Sequence, residues 1–459
     1  MAVGYIWGVS LIAALKVGMQ KTVILLFLLS LALAVPYFIS KLKVQTIMTG
    51  LLLLFWLPMP IILAYFSGIF AQLYLFEFLI WFFLFYILSN KYLSMDTRIS
   101  LGLKRFPLKP YLFYIGGALI AYFLSYKTGG ELSIIRIICV FPMILSLSIF
   151  LTIESGDDAK SYLWAVLTAA FLLSLIFQFG PRFLPSFIDS YYRPEVGRAG
   201  LQIVIPYVGN LVIFAASAGD KFGFMFTLAF SFWLINRSFW IRIVAALMCL
   251  SLGAAMVNAQ GRGGTIAALV SSSFIAYLSI KKGGRLRIRA LVIYSIVGLS
   301  IIGATWYFAV QSESKSVTMR ITSLYSDPFG DPNYLGRLEI WKRGLEIIQQ
   351  RPMGIGLVGF ESPGNDTWIV HNIWLYIFLS FGVIGFLGFV WLLSTFFKAF
   401  LKGIRNENPD INNLCVAGIG LLINLIIAGQ FSPIVYEPYT VGIIWVPLAT
   451  IYAVAVLDS

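Results

Sequence analysis

DPNYLGRLEIW (residues 331–341), RPMGIG (351–356) and HN (371–372) follow one another in the most polar part of this 459-residue chain. The first two belong to a stretch of mixed charge, 311–370, that lies between two long apolar segments. His371, directly after this stretch, is the only histidine in the sequence. Almost everything else has the composition of membrane-embedded helix, so we expect the chemistry of the protein to take place here.

The composition excludes a soluble globular protein. Hydrophobic residues make up 59% of the chain and the mean hydropathy is +0.88, which is typical of integral membrane proteins. We therefore predict an all-α, polytopic membrane protein, with residues 1–459 as a single integral domain and 311–370 as one long loop within it. The net charge of +13 comes mostly from short loops between spans, as in cytoplasmic loops of membrane proteins, so nucleic-acid binding is not expected.

Apolar runs recur along the whole chain, each close to the roughly 20 residues that a helix needs to cross a bilayer core. The candidate spans are 22–39, 44–67, 70–89, 111–126, 132–153, 161–180, 239–258, 263–280, 290–310, 371–397, 411–429 and 439–457. Residues 1–15 either add a span or lie at the membrane interface. The sequence thus predicts about twelve to fourteen crossings.

The basic loops predict the orientation of these spans. Three short loops, 91–109, 281–289 and 398–405, are rich in lysine and arginine, and such loops are normally cytoplasmic. Counting crossings from them places 311–370 on the outer face. The same count requires an odd number of crossings in 200–236, although this region contains two apolar runs.

We therefore predict a broken or re-entrant element in 201–235, containing Pro206, Gly209 and Asn210. Irregular backbone at membrane depth is tolerated only where it faces protein or a wet cavity. This element is a candidate wall of a substrate vestibule.

The polar stretch has the pattern of one short amphipathic helix. Asp331, Pro332 and Asn333 favour a helix start. Apolar residues then recur at helical spacing up to Pro352, at Leu338, Trp341, Leu345 and Ile348. Arg337 lies four residues before Trp341 and shares its face. Gly354 and Gly356 predict a flexible turn back to the membrane, where His371 and Asn372 begin the next span.

Three side chains are expected on the same side of the bilayer: Arg262, Arg337 and His371. Arg262 lies in the glycine-rich turn 258–264 (NAQGRGG) at the outer end of two adjacent spans. Two guanidinium groups suit a diphosphate, since each can donate paired hydrogen bonds to phosphate oxygens. A histidine beside them can accept a proton from an attacking hydroxyl. Taken singly, such a histidine is more often structural, and interfacial arginines often bind lipid phosphate.

The pattern Arg337-x3-Trp341, Pro352-x-Gly354-x-Gly356, His371-Asn372 and Gly382-x-x-Gly385 resembles the bacterial O-antigen ligase and O-antigen polymerase superfamily. The segment 260–263 (QGRG) is similar to the Ser-Arg-Gly turn of that family, with Gly261 at the position of the serine. The resemblance covers roughly 255–400.

The resemblance implies a GT-C-like, metal-independent glycosyltransferase of the bacterial inner membrane, without a cofactor and with its active site on the periplasmic face. The donor would be a glycan on undecaprenyl diphosphate, and the acceptor another glycan or the lipid A core. Arg262 and Arg337 would hold the diphosphate, and His371 would activate the acceptor. A second arginine-bearing outer loop, at 193–200, adds Arg193 and Arg198 as candidate substrate-binding residues. The remaining candidates for substrate binding are Trp341, Asn372, Asn210, Gly354 and Gly356.

Three functions stay open from sequence. A polymerase would pass the glycan to a lipid-linked repeat unit, and a ligase would pass it to the lipid A core. Flippase or chain-length regulator proteins are possible partners of either enzyme. A transporter would need intramembrane charges along a path, for which Glu77 and Arg136 are the only candidates.

Overall fold

The helices of this protein form where the sequence predicts apolar spans. The computed structural model describes residues 43–53, 62–64, 73–93, 104–125, 135–183, 188–193, 198–205, 209–236, 238–259, 262–281, 332–356, 360–361, 367–368, 370–432 and 441–457. The predicted spans 22–39 and 290–310, as well as Pro206, lie outside these residues.

The described residues form helices with short strands between some of them. The helices are α1 (Val44–Leu53), α2 (Leu75–Leu93), α3 (Leu108–Leu124), α4 (Phe141–Thr152, preceded by a π-helical turn, Arg136–Val140), α5 (Gly156–Phe183), α6 (Ala215–Ile235), α7 (Phe239–Asn258), α8 (Arg262–Lys281), α9 (Pro332–Gln350), α10 (Ile373–Gly403), α11 (Pro409–Ala428) and α12 (Val441–Leu457). The strands are β1 (Ile62–Ala64), β2 (Leu73–Tyr74), β3 (Ile188–Arg193), β4 (Arg198–Ile205), β5 (Gly209–Phe214), β6 (Phe360–Glu361) and β7 (Thr367–Trp368).

The predicted class, a polytopic helical membrane protein, is confirmed. In the described part of the chain, four helices are long and apolar enough to cross a membrane: α5, α7, α10 and α11. Shorter apolar helices accompany them, among them α3, α8 and α12. The total number of crossings stays a prediction, because two predicted spans lie outside the described residues.

Contacts between helix ends define two ends of the bundle. At the end that we call the upper end, the N–H of Ile373 donates to the carbonyl of Gly429 at 2.7 Å, and Gly263 packs against Phe431. At the opposite, lower end, Lys160 pairs with Asp410 at 2.7 Å. The basic residue Arg105 also lies at the lower end, where its side chain donates to the last carbonyls of α12.

The predicted odd number of crossings between residues 200 and 236 stays a prediction. Helix α6 extends between the two ends of the bundle: Gly219 packs against Gly264 at the upper end, and Ile235 borders Lys160 and Asp410 at the lower end.

The predicted broken or re-entrant element in 201–235 was wrong. The chain before α6 instead forms an antiparallel sheet in the order β3-β4-β5, in which Gly209 and Asn210 belong to β5. Pairing of β4 with both neighbouring strands satisfies the backbone N–H and C=O groups of this segment.

The predicted span 44–67 is not one helix. Helix α1 ends at Leu53, and Ile62–Ala64 pairs instead with Leu73–Tyr74. Pro58 and Pro60 lie between these two segments, and a proline inside a helix removes a hydrogen bond and clashes with the preceding turn.

The predicted span 371–397 contains a reversal that the sequence analysis missed. Gly382, inside α10, has φ 68° and ψ −174°, which is far from helical. The rings of Phe378 and Phe386 stack with centroids 5.1 Å apart, and those of Trp374 and Phe389 lie 5.9 Å apart. In a straight helix the second pair would be separated by about 22 Å of rise. Segments 373–381 and 383–403 therefore form a helical hairpin that turns at Gly382.

Glu77 and Arg136, the candidate transporter charges, pair with each other. Their side chains approach to 2.7 Å and are only 4% and 2% exposed. An ion pair of this kind balances both charges inside the helix packing.

Candidate functional site

His371 lies at the upper end of the bundle, directly before the first turn of α10. The side-chain oxygen of Asn372 accepts hydrogen bonds from the N–H groups of Trp374 and Leu375, each at 3.0 Å. Its Nδ2 donates to Oε1 of Gln430 at 3.3 Å. Asn372 is thus the N-cap of α10 and also ties this helix to the end of α11, which fixes the backbone that carries half-buried His371.

The predicted substrate contact of Asn372 competes with this capping role. Both ends of its amide already take part in hydrogen bonds within the protein. Capping at this position stabilises a helix by about 1 kcal/mol. The contact with substrate stays a prediction.

Arg262 is the first residue of α8, and glycines at the next two positions bring this helix end close to its neighbours. A Cβ at Gly263 would lie 2.6 Å from the Cβ of Phe431, and one at Gly264 would lie 2.6 Å from the carbonyl oxygen of Gly219. Only glycine permits such close approach. Arg262 therefore begins its helix beside the turn 429–431, which also holds the start of α10.

This turn, 429–431, joins two of the predicted residues. The carbonyl of Gly429 and the side chain of Gln430 bind the residues that follow His371, while Phe431 packs on the residue that follows Arg262. The structure thus brings the backbones of Arg262 and His371 close to the same turn. The sequence analysis did not identify the turn, because Gly429-Gln430-Phe431 has no feature that distinguishes it from an ordinary helix end.

Arg337 and Trp341 belong to α9, which is the predicted amphipathic helix. Gly344 faces the side chains of Leu375 and Leu379, whose atoms would lie 3.1 and 3.2 Å from a Cβ at this position. Beyond the end of α9, the carbonyl of Pro352 accepts from the N–H of Val383 at 2.9 Å. Helix α9 therefore runs in the same direction as segment 373–381.

The register of these two helices indicates where Arg337 lies. Arg337 precedes Gly344 by seven residues, so it shares the face of Gly344 and lies about 10 Å from it along the axis. Because the helices run in the same direction, this displacement is toward the start of α10, where His371 lies. Arg337 and Trp341 are both half-buried.

Gly354 and Gly356 form a fixed turn rather than the predicted flexible one. Both have positive φ, 92° and 79°. The N–H of Ile355 donates to the carbonyl of Leu379 at 2.8 Å, and a Cβ at Gly354 would lie 2.6 Å from the backbone nitrogen of Gly382. The glycines thus dock the end of α9 onto the turn of the helical hairpin, and no substrate contact is needed to explain them.

Arg193, Arg198 and Asn210 lie in the sheet that connects α5 with α6. Arg193 and Arg198 face each other across the end of the β3–β4 pair, and Asn210 is paired with Val204. The sheet is joined to the upper ends of its flanking helices. Their role in substrate binding stays a prediction.

The sequence analysis did not include Asp220 and Lys221 among the candidate residues. They lie near the upper end of α6 and are only 4% and 5% exposed. Asp220 adjoins Gly264, two residues after Arg262. The signal in the sequence was their position between two apolar runs, which was interpreted as a break within one broken or re-entrant element.

Helix N-termini meet at the candidate site. Helices α8 and α10 both begin at the turn 429–431, and the start of α9 points to the same region. The N-terminus of a helix carries a partial positive charge, although the first N–H groups of α10 already have partners within the protein. Such an arrangement suits an anion of the size of a diphosphate.

Comparison with known proteins confirms the resemblance drawn from the sequence. A family model described as O-antigen ligase matches residues 247–390, a range that contains Arg262, Arg337 and His371. This match supports the O-antigen ligase and polymerase superfamily and a function of that general type. The chain is also 21% identical over 284 residues to an uncharacterized protein of Haemophilus influenzae, an alignment that covers 57% of this chain and 64% of the relative.

Proposed function

We propose, from the family match over residues 247–390, that this protein is an inverting glycosyltransferase of bacterial surface polysaccharide assembly. As an O-antigen or exopolysaccharide polymerase, it would transfer a glycan from undecaprenyl diphosphate to a lipid-linked repeat unit. The observation that carries the proposal is the turn 429–431, on which the start of α8 with Arg262 and the start of α10 with His371 meet. The upper end would face the periplasm of a bacterial inner membrane.

In this mechanism the acceptor hydroxyl attacks the anomeric carbon of the donor sugar from the face opposite the diphosphate. The new carbon–oxygen bond forms as the bond to the diphosphate breaks, so the configuration inverts. His371 takes the hydroxyl proton. The diphosphate leaves with the bonding electrons, still attached to its polyprenyl chain.

The arginines lower the barrier because negative charge grows on the leaving diphosphate. Arg262 and Arg337, with the helix N-termini, would bind this charge more tightly in the transition state than in the bound donor. A single preorganised donor of this kind typically contributes about 3 to 4 kcal/mol. The arginines thus fill the role that a metal ion has in other transferases, and the proposal includes none.

We expect variants of Arg262, Arg337 and His371 to lose most of their transferase activity. In purified protein given lipid-linked repeat units alone, we expect a ladder of products from the natural sequence. Arg337→Ala and Arg262→Ala should lower kcat about 100-fold or more, since each removes one charged donor. His371→Ala should lower kcat by a similar factor. Lys342→Ala, an exposed change on the same helix as Arg337, is the matched control and should retain the natural rate.

A natural protein that forms no product from any lipid-linked glycan, or an Arg337→Ala variant that keeps full kcat, would contradict the proposal.

A ligase is the second candidate, because the matching family model is described as O-antigen ligase. A ligase would use the same donor and the same three residues but transfer to a lipid A core sugar. The two candidates differ only in the acceptor. Product that forms without lipid A core supports the polymerase, whereas product that appears only after its addition supports the ligase.

A further inference from the structure

A cluster of polar side chains lies below the candidate site, where α6, α8 and α11 meet. Nδ2 of Asn424 lies 2.9 Å from Oγ1 of Thr227, 3.3 Å from the carbonyl oxygen of Gly223 and 3.4 Å from Oγ of Ser271. The two hydroxyls are themselves 2.9 Å apart. Thr227, Ser271 and Asn424 are each 0% exposed. We call these three side chains the polar lock.

The polar lock is not explained by stability alone. Oδ1 of Asn424 has no hydrogen-bond partner among the described residues, and a buried polar atom left without a partner is unfavourable. Apolar side chains of similar size would fill the same space without this cost. What the polar groups provide is a geometric constraint, since the hydrogen bonds between α6, α8 and α11 form only over a narrow range of distances and angles.

The polar lock is connected to the candidate site through backbone contacts. Its acceptor Gly223 is so close to α8 that a Cβ there would lie 2.6 Å from the carbonyl oxygen of Gly264. Gly264 is two residues from Arg262. Along α11, Asn424 lies six residues, about 9 Å, below Gln430, whose side chain binds Asn372.

The three locked helices therefore carry both sides of the site. Helix α8 begins with Arg262, and α11 ends in the turn that holds His371. A displacement of α8 relative to α11 would change the distance between the guanidinium and the imidazole, and a misplacement of about 1 Å can cost about 100-fold in rate.

We propose that Thr227, Ser271 and Asn424 are positioning residues that set the distance between Arg262 and His371. This inference rests on the proposed function for its catalytic readout. Interactions that position a group for the transition state affect kcat more than KM. The polar lock should therefore affect turnover while donor binding and folding are nearly unchanged.

The test replaces the polar groups by apolar ones of similar shape. In the triple variant Thr227→Val, Ser271→Ala, Asn424→Leu we expect kcat to fall about tenfold or more, with KM within about threefold and an unfolding temperature that is unchanged or higher. Thr227→Ser keeps the hydroxyl but deletes a methyl group, so it should lower the unfolding temperature and keep kcat. Thr227→Val should lower kcat, and it should also lower the unfolding temperature because buried Nδ2 of Asn424 loses its nearest acceptor.

The matched control removes a buried interhelical hydrogen bond elsewhere. Tyr111 and Ser146 are hydrogen-bonded at 2.8 Å between α3 and α4, so Ser146→Ala should alter stability without lowering kcat. The inference is overturned if the triple variant keeps its kcat, or if its kcat falls only in step with its unfolding temperature.

A second measurement does not depend on activity. Spin labels at Ile266 on α8 and Ile426 on α11, both exposed, report the distance between the two helices. We expect one narrow distance distribution in the otherwise natural protein and a broader or shifted one in the triple variant. An unchanged distribution overturns the inference even if the proposed function is correct. If the natural protein is inactive but the triple variant has a broader distribution of label distances, the proposed function is refuted. The role of the polar lock in positioning the two helices is then retained.

Discussion

At the scale of single residues, two glycines determine how the polar stretch meets the membrane helices. Gly382 and Gly354 both have positive φ, 68° and 92°, a region that L side chains rarely adopt. Each also lies against the backbone of the other segment. Chain reversal and docking therefore depend on the absence of a side chain at both positions.

Replacing Gly382 by alanine should destabilise the upper end of the protein. The left-handed conformation costs an alanine about 1 to 2 kcal/mol, and its methyl group would collide with the backbone of Met353. Thermal unfolding in detergent should show a lower transition temperature for Gly382→Ala. Gly116→Ala is the control, because a Cβ there has nothing within 4 Å and alanine favours helix by about 1 kcal/mol. A Gly382→Ala variant at least as stable as Gly116→Ala would contradict the described turn.

Residue types predicted a candidate chemistry but not the structural roles. Arginine and histidine in the motifs indicated an anion site, which stays a prediction. Asn372, by contrast, was assigned to substrate although its amide caps α10. A capping asparagine and a binding asparagine have the same sequence context at a helix start, so only the partner atoms distinguish them.

At the scale of elements, the helical hairpin of α10 is the main departure from the predicted fold. A glycine inside an apolar run is compatible with a straight helix at small cost, so the pattern of 371–397 predicted one span. The reversal is stabilised from outside the segment, by hydrogen bonds of Pro352 and Ile355 with Val383 and Leu379. Contacts so distant in sequence cannot be predicted from periodicity.

A disulfide across the hairpin tests the reversal. The rings of Phe378 and Phe386 stack at 5.1 Å, so cysteines at these two positions should crosslink under mild oxidation. In a straight helix their backbones would be about 12 Å apart along the axis, too far for a disulfide. Crosslinking is detected as protection of the paired thiols from a mass-shifting maleimide. Cysteines at 386 and 394, equally spaced but within one helical segment, should stay reactive.

At the scale of the whole molecule, the bias of basic residues predicted which helix ends lie together, while the end that faces outward stays a prediction. The helix ends predicted to lie on the same side do so in the described residues, from Lys160 beside Asp410 to Arg262 beside the end of α11. Charge bias constrains which end of a span faces which side of the membrane. It carries no information on which helices pack together, so the grouping of α6, α8 and α11 was not predicted.

The orientation of the bundle can be tested by labelling single cysteines in spheroplasts. Met353 lies near the top of the hairpin and is 43% exposed, while Glu407 is exposed in the loop at the lower end. We expect a membrane-impermeant maleimide to react with Met353→Cys from outside and with Glu407→Cys only after lysis. The three native cysteines are buried and give the background signal. The opposite labelling pattern would place the upper end in the cytoplasm and contradict a periplasmic site.

The segment 373–381 is held at both ends, by Gly429 at its start and by Pro352 and Ile355 at its top. Its length of nine residues fixes the angle about the helix axis between the contacts at its two ends. A single inserted residue would rotate one end of the segment about 100° relative to the other. The imidazole of His371 would then point in a different direction, although every side chain is retained. This part of the chain should therefore tolerate substitution far better than a change of length.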